Sequence, residues 1–329
     1  MTRRKEFKLK MPKRKHKIPA AEVASSSAPP PPWADLPIDV TANILHRLGA
    51  IDILENAEKV CTTWRRVCRD PGMWRVINMK NSAYHHDMLY NLDIMCRHAV
   101  DRSEGQLIDI NIEYFGTDYL LHYICGRSSK LRRLRLACCY DISGEGLLQA
   151  VKRIPQLEEL RLFFMKSILA EDIEAIGLSC PMLKSFTFNV CRHKYPRTED
   201  NEYALAVAKN MPNLRQLRLF GNKMSNEGLK AILESCPHLE LLDLRQCFSV
   251  DLGGDLGRIC SQRVKVLKRP YDSTDDFEWD GETCRIELCS DGCYSPRYYD
   301  FYSYYDDLAI HFDDPYLLDV EPWFDWNRL

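Results

Sequence analysis

The sequence predicts an α/β chain: a small helical unit, then a short solenoid of parallel strands and helices, with disordered ends. Three observations carry this. A leucine-centred hexad recurs at near-constant spacing through the middle of the chain. A compact pair of helical apolar stripes precedes it. The two ends carry opposite charge and no periodicity.

The chain has 329 residues, of which 45% are hydrophobic and 28% charged. That size and balance suit a soluble chain of two or three units. No run of 18 apolar residues occurs, so no membrane span is expected. The start is basic and no apolar stretch follows, which argues against a secretory signal. The 14 cysteines are then expected as reduced thiols rather than disulfides.

The net charge of −2 hides an asymmetry. Residues 1–17 hold nine Lys/Arg and one Glu, whereas residues 271–329 hold sixteen Asp/Glu and three Lys/Arg. Residues 1–32 form a basic head that ends in an Ala/Ser/Pro-rich spacer closing on Pro29, Pro30, Pro31 and Pro32. Such a segment buries too little apolar surface to offset its ordering entropy. Within it, Lys13, Arg14, Lys15 and Lys17 suit a nuclear-import signal, non-specific phosphate contact or a merely solvated arm. The expected location is the nucleus, the cytoplasm or both. Aromatic residues are almost lacking in the head, so specific nucleic-acid recognition is not expected.

Residues 33–78 read as a helical unit. Val40, Ile44, Leu45 and Leu48 fall at helical spacing, as do Ile53, Leu54, Ala57, Val60, Cys61 and Trp64. Asp52 and Glu55 have capping-box spacing, and Asp70, Pro71 and Gly72 make a turn before Trp74. A unit this small needs a partner surface or the next domain to cover its apolar side chains. Residues 79–106 read as a linker helix or an irregular first repeat.

Residues 107–270 repeat. Hexads start at Leu131, Leu157, Leu183, Leu214 and Leu239, spaced by 26, 26, 31 and 25 residues. A weaker copy starts at Leu107, and Val264 begins a last fragment. Eight positions after each full start lie Cys139, Met165, Cys191, Asn222 and Cys247. This is the leucine-rich-repeat signature, one strand and one helix per repeat. Pro155, Pro181, Pro212 and Pro237 stop the helices before the next strand. The longer third spacing places an insertion at 192–201.

Strand alternation turns Leu134 and Leu136 inward, and Arg133, Arg135 and Ala137 outward. The same register exposes Glu159, Arg161 and Phe163; Ser185, Thr187 and Asn189; Gln216, Arg218 and Phe220; and Leu241, Asp243 and Arg245. From these, Arg133, Arg135, Glu159, Arg161, Phe163, Arg218, Phe220, Asp243 and Arg245 are read as a concave binding face for a protein, basic with aromatic anchors. The plainer reading is a solvated charged face.

Cys125, Cys139, Cys180, Cys191, Cys236, Cys247 and Cys260 sit at repeat-fixed positions and are read as interior thiols. Cys284, Cys289 and Cys293, and His85, His86 and Asp87, lack metal-ligand spacing, so no metal is expected. No cofactor loop, zinc-protease motif or nucleophile elbow occurs, so no cofactor and no catalysis are expected. Residues 271–329 combine sixteen acids with fifteen aromatics. This acidic, Tyr-rich tail is open to three readings: a competitor for the basic column Arg135, Arg161 and Arg218, a solubilising tail, or a cap on the last repeat.

Residues 33–78 resemble the F-box: Leu36, Pro37, Val40, Ile44, Leu45, Leu48, Asp52, Ile53, Leu54, Ala57, Val60, Cys61, Trp64, Arg65, Asp70, Pro71 and Trp74 follow its pattern in order. With the repeats behind it, the chain resembles a plant-type F-box/leucine-rich-repeat protein over roughly residues 33–268. The resemblance implies a non-catalytic adaptor in an SCF ubiquitin ligase. Its F-box would dock on a Skp1-like protein, and through it a cullin and a RING protein, while the repeats hold an unidentified protein substrate. The family positions for Skp1 map onto Leu36, Pro37, Ile44, Leu45, Ile53, Leu54, Val60, Cys61, Trp64 and Trp74. The same stripe read without the family is the core of a helical unit. Two departures from the pattern are Gly49-Ala50, which only shortens side chains there, and Asn56-Ala57-Glu58, expected to weaken docking without abolishing it. The repeat array is too short to enclose a small-molecule pocket.

Overall fold

A computed structural model describes residues 36–80, 91–189 and 199–277. The head, with Lys13, Arg14, Lys15 and Lys17, lies outside the described residues, as do His85, His86, Asp87, Cys191, Cys284, Cys289, Cys293 and residues 278–329.

The helical unit opens with α1 (Ile38–Leu45). Its entrance is fixed by Pro37, whose carbonyl accepts from Thr41 N at 2.9 Å and Thr41 Oγ1 at 3.1 Å. Helix α2 spans 50–60, with a wider π segment at Ile53–Ala57 between two α-turns. Helix α3 (Thr62–Cys68) follows an extended Cys61, whose sulfur caps it by accepting from Trp64 N at 3.5 Å. A 3₁₀ turn (Pro71–Trp74) is held by the Asp70 side chain, which accepts from Gly72 N at 2.7 Å.

The chain then enters the sheet. Strand β1 (Val76–Met79) pairs in parallel with β2 (Asp109–Glu113), so the solenoid begins inside the segment assigned from sequence to the helical unit. Helix α4 (Leu92–Arg102) crosses between them. The remaining repeats run α5 (Asp118–Arg127), β3 (Arg133–Ala137), α6 (Gly144–Val151), β4 (Glu159–Phe163), α7 (Ala170–Ser179) and β5 (Ser185–Asn189). They end with α8 (Glu202–Asn210), β6 (Gln216–Arg218), α9 (Asn226–Ser235), β7 (Leu241–Asp243), α10 (Gly254–Arg263) and β8 (Val266–Lys268). All eight strands form one parallel sheet in sequence order. The hexad residues Leu131, Leu134, Leu136, Leu157, Leu160, Leu162, Leu214, Leu217 and Leu219 are buried in one continuous core with the inner helix faces.

Every described strand-to-helix turn uses one device. Tyr114, Cys138, Phe164, Gly221 and Gln246 stand seven positions after a hexad start, all with positive φ, from 53° to 76°. Their N–H groups donate to Ala137, Phe163, Asn189, Arg245 and Pro270 carbonyls at 2.8–3.0 Å, carrying the ladder past the strand ends. The left-handed backbone costs a non-glycine residue about 1 kcal/mol. A sheet bond that would otherwise be buried and unmade offsets that cost.

The helices are tied edge to edge by caps. Asp118 on α5 accepts from Ser143 N at 2.9 Å and Ser143 Oγ at 2.7 Å, and Ser143 in turn caps α6 by accepting from Gly146 N. A Cβ on Gly146 would fall 1.9 Å from the Asp118 carboxylate, so this close approach needs glycine. Thiols add a second tie: Cys236 and Cys247 donate to Met211 and Leu219 carbonyls of the preceding repeat, at 3.5 and 2.9 Å, while the single Cys139 S–H lies between Ala137 O of its own repeat at 3.4 Å and Ile112 O of the preceding one at 3.7 Å. Burial pushes Cys139 and Cys247 up to about 12 and Cys236 up to about 11. They are structural thiols, as their repeat positions suggested.

The helical unit is welded to the first repeat. Trp74 is fully buried and donates Nε1–H to Cys68 O at 2.7 Å. The Arg102 guanidinium at the end of α4 lies 5.5 Å from the Trp74 ring centroid. It also forms a two-armed pair with Glu58 of α2, one arm measuring 3.2 Å. Glu58, the last residue of the Asn56-Ala57-Glu58 departure, turns inward, into this joint.

Arg102→Ala strands a largely buried carboxylate and should lower urea stability by about 3 kcal/mol, with Arg102→Met recovering only part. A loss below about 1 kcal/mol would remove the joint from the account. In the native chain at pH 8, Cys139 and Cys247 should resist N-ethylmaleimide and react once urea unfolds the repeats, read by site-resolved mass spectrometry. Rapid native labelling of either would contradict the interior assignment.

Candidate functional sites

Two surfaces emerge. The first is on the helical unit. Ile44 and Val60 are 44% and 51% exposed, and with Leu36, Thr41 and Trp64 they line an apolar groove of about 360 Å³. Val40 and Leu48 add exposed apolar surface from the same helix and its exit. Ile38 on the same helix is exposed as well, and a contiguous apolar patch of this kind marks an interaction surface. The indole Nε1 of Trp64 is buried and has no hydrogen-bond partner.

This groove corrects part of the expected Skp1 set. Leu45, Ile53, Leu54 and Trp74 are 0–6% exposed and belong to the core, so they support the groove without lining it. The reason is helix phase: Ile44 and Leu45 are neighbours in sequence but about 100° apart around α1. Pro37 and Cys61 remain accessible, but their evident work is fixing the starts of α1 and α3.

The second surface is the concave face of the sheet. The registers place Asn111, Arg135, Arg161, Thr187, Arg218, Asp243 and Lys268 in one row, as strand alternation predicted. Exposure does not follow that prediction. Phe163, Phe220, Asp243 and Arg245 are each 3% exposed, and Ala137, Ser185, Thr187 and Asn189 are buried too. They are not the open anchors expected from alternation alone.

The cause is a second layer over the row ends. Tyr114, Tyr140 and Phe277 pack over Ala137, Cys138, Phe163 and Phe164. The Arg135 guanidinium lies 4.8 Å from the Phe163 ring centroid. Phe277 stacks on Phe220 at 4.0 Å between centroids with an 11° tilt. Asp276 and Phe277 belong to the stretch assigned to the tail, and nothing repetitive in the sequence signals their place on this face.

Charges on the face are largely matched within it. Arg133 pairs with Asp109 at 2.7 Å, Arg135 with Glu113 at 3.7 Å, and Arg161 with Glu159 on its own strand. Arg245 makes bonds of 2.8–3.2 Å to Asp243 and also binds Asp276, which Lys268 holds as well. The Lys268 and Arg245 bonds pull the Asp276 carboxyl down to about 2, so it is ionised at neutral pH. A hollow of about 420 Å³ lies beside β1–β4, lined by Asn78, Asn111, Arg133, Arg135 and Arg161 among others. A smaller one of about 120 Å³ lies between β4 and β8.

Among the described residues no group of three or more His, Cys, Asp or Glu is placed to hold a metal ion. No helix among them is long and apolar enough to cross a membrane.

Comparison with known proteins identifies the two parts of the chain. The F-box-like family matches residues 33–80. The family described as FBD-associated F-box protein At5g56370, LRR repeats, matches residues 198–276. The chain is 51% identical over 264 residues to F-box protein SKIP19 of Arabidopsis thaliana, covering 78% of this chain and 85% of that protein. It is 49% identical over 244 residues to putative F-box/LRR-repeat protein 23 of the same plant, covering 74% of this chain and 54% of that protein. It is 43% identical over 258 residues to putative F-box protein At4g05475, also of Arabidopsis thaliana, covering 75% of this chain and 82% of that protein.

Proposed function

The chain belongs to the plant F-box/leucine-rich-repeat family, and on that premise we propose that it is a substrate-recognition adaptor of an SCF ubiquitin ligase. The observation that carries the proposal is the open apolar groove between α1, α2 and α3. Ile44 and Val60 stand exposed there although burying each fully would be worth about 1.5–3 kcal/mol. A Skp1-like protein presenting an apolar helix would cover them, with the groove receiving side chains at helical spacing.

The repeats supply the other half of the role. They hold the substrate on the concave face, and the Glu58–Arg102–Trp74 joint fixes that face relative to the groove. The adaptor then works by proximity, raising the effective concentration of substrate near the ubiquitin carrier. Its own part is non-catalytic. The buried thiols are held protonated, the form least suited to thioester chemistry.

The test is a capture of Skp1-like protein and cullin from plant extract by the full chain and by an Ile44→Glu/Val60→Glu variant. Both positions are exposed, so the melting temperature should move by no more than about 3 °C. Capture of both partners should fall by more than about tenfold, because two carboxylates are desolvated in an apolar contact. Equal capture by the variant would overturn the groove as the docking site. Skp1 recovered without cullin would favour a scaffold that does not lead to ubiquitylation.

A further inference from the structure

On β4 and β6 the outward rows carry long side chains, and between them β5 carries short ones. There Thr187 stands between Arg161 and Arg218, and Asn189 stands beside Phe163. Two strand spacings separate the arginine backbones, about 10 Å. The short side chains between them leave the hollow of about 120 Å³, walled by Arg161, Phe163, Arg218 and Phe277. A water molecule occupies about 30 Å³ in the liquid, so the space suits a carboxylate or a phosphate group rather than a larger ligand.

The floor of this hollow is chemically unfinished. Thr187 Oγ1 and Asn189 Oδ1 are buried and have no hydrogen-bond partner, and Ser185 Oγ on the same strand is in the same state. Thr187 is 1% exposed and Asn189 2%. Buried polar atoms are costly to leave unpaired, and packing alone gives no reason to place three on one strand. The wall carries four cations, Arg161, Arg218, Arg245 and Lys268, with Asp243 and Asp276 among them, and Glu159 pairs with Arg161. Arg218 also bonds the Gln216 amide oxygen at 3.1 Å.

We propose that this hollow is an anion seat that receives an acidic side chain of a bound protein substrate. The guanidinium groups of Arg161 and Arg218 flank the oxyanion, with the fork geometry that matches carboxylate and phosphate oxygens. The Thr187 hydroxyl donates from the floor. The proposal rests on the adaptor reading for calling the partner a substrate; the anion chemistry is independent of it. Asp, Glu and a phosphorylated residue share this chemistry. The rival occupant is the chain's own end, since Asp276 and Phe277 already lie on the wall and residues 278–329 hold thirteen acids.

The experiment is fluorescence anisotropy at about 50 mM salt, where exposed charges are weakly screened, on the full chain purified with its Skp1-like protein. The fluorescein-labelled probes are hexaglutamate, hexaglutamine and a serine-glycine hexapeptide carrying one phosphoserine. Hexaglutamate or the phosphopeptide should bind and hexaglutamine should not, and the stronger of the two identifies the source of the anion. Arg218→Gln should weaken that binding about tenfold or more. Thr187→Met, which fills the hollow without changing charge, should do the same. Melting temperature and Skp1 retention should be unchanged in both variants. The basic head acts equally in all of them and cancels in the ratio. Titrations unaltered by both substitutions, or no binding of either acidic probe, would overturn the proposal. Binding that appears only after residues 278–329 are deleted, and is lost again with Arg218→Gln, would give the seat to the chain's own end and overturn the partner reading. Failure of the adaptor reading shows separately, as loss of the Skp1-like protein from the unaltered chain.

Discussion

A single strand and helix cannot bury a row of leucines. Each repeat here has an apolar edge on both sides, and only the next repeat closes it. The parallel ladder from β1 to β8 is therefore the constraint from which the rest follows. It sets the spacing of the rows, fixes which side chains stand opposite one another, and explains the strained turn residues. Tyr114, Cys138, Phe164 and Gln246 accept a left-handed backbone because that conformation aims the N–H at the neighbouring repeat. Gly221 does the same without a Cβ to strain. Caps such as Asp118 to Ser143 and thiol bonds such as Cys247 to Leu219 reinforce the same stacking at the outer and inner edges.

The ladder also recruits the helical unit. Strand β1 leaves the Trp74 turn and pairs at once with β2, so the unit is the first layer of the stack rather than a separate bead. Glu58, Arg102 and Trp74 meet where α2, α4 and the turn converge. Burial lowers the affinity of Arg102 for its proton, yet the guanidinium keeps its charge, because its ordinary value is far above neutral. A charged pair at this junction breaks badly if either member is lost. That gives the groove and the concave face a fixed relation, which a proximity mechanism requires.

The repeats were legible because their period is a property of the sequence itself. Leu131, Leu157, Leu183, Leu214 and Leu239 mark the strands, and all five are buried. Strand β1 was missed because Val76, Ile77, Asn78 and Met79 carry no hexad leucine. An amphipathic stripe names a face but not its two edges. Leu45 and Leu54 fell to the core, whereas Ile44 and Val60 fell to the surface. Alternation placed Phe163 and Phe220 on the outward side correctly, yet their burial depends on Tyr114, Tyr140 and Phe277. Tyr114 holds a repeat-fixed position but its aromatic ring is not repeated there, and Phe277 lies beyond the last hexad, so only the folded chain brings them to the rows they cover.

Local costs that packing does not repay cluster at the two surfaces. The groove leaves Ile44, Val60 and their neighbours in water, an apolar cost. The β5 floor leaves Thr187, Asn189 and Ser185 without partners, a polar cost. Single unpartnered buried atoms also occur at Asn111, Glu113 and Ser128, and single apolar side chains such as Leu178 are exposed on the helices. What marks the two surfaces is clustering: several apolar side chains around one groove, and three polar ones on one short strand. An apolar cost is relieved by apolar surface and a polar cost by a hydrogen-bonding group. The two demands differ enough that one surface would not meet both, which is the physical ground on which the adaptor proposal and the anion-seat proposal stand side by side.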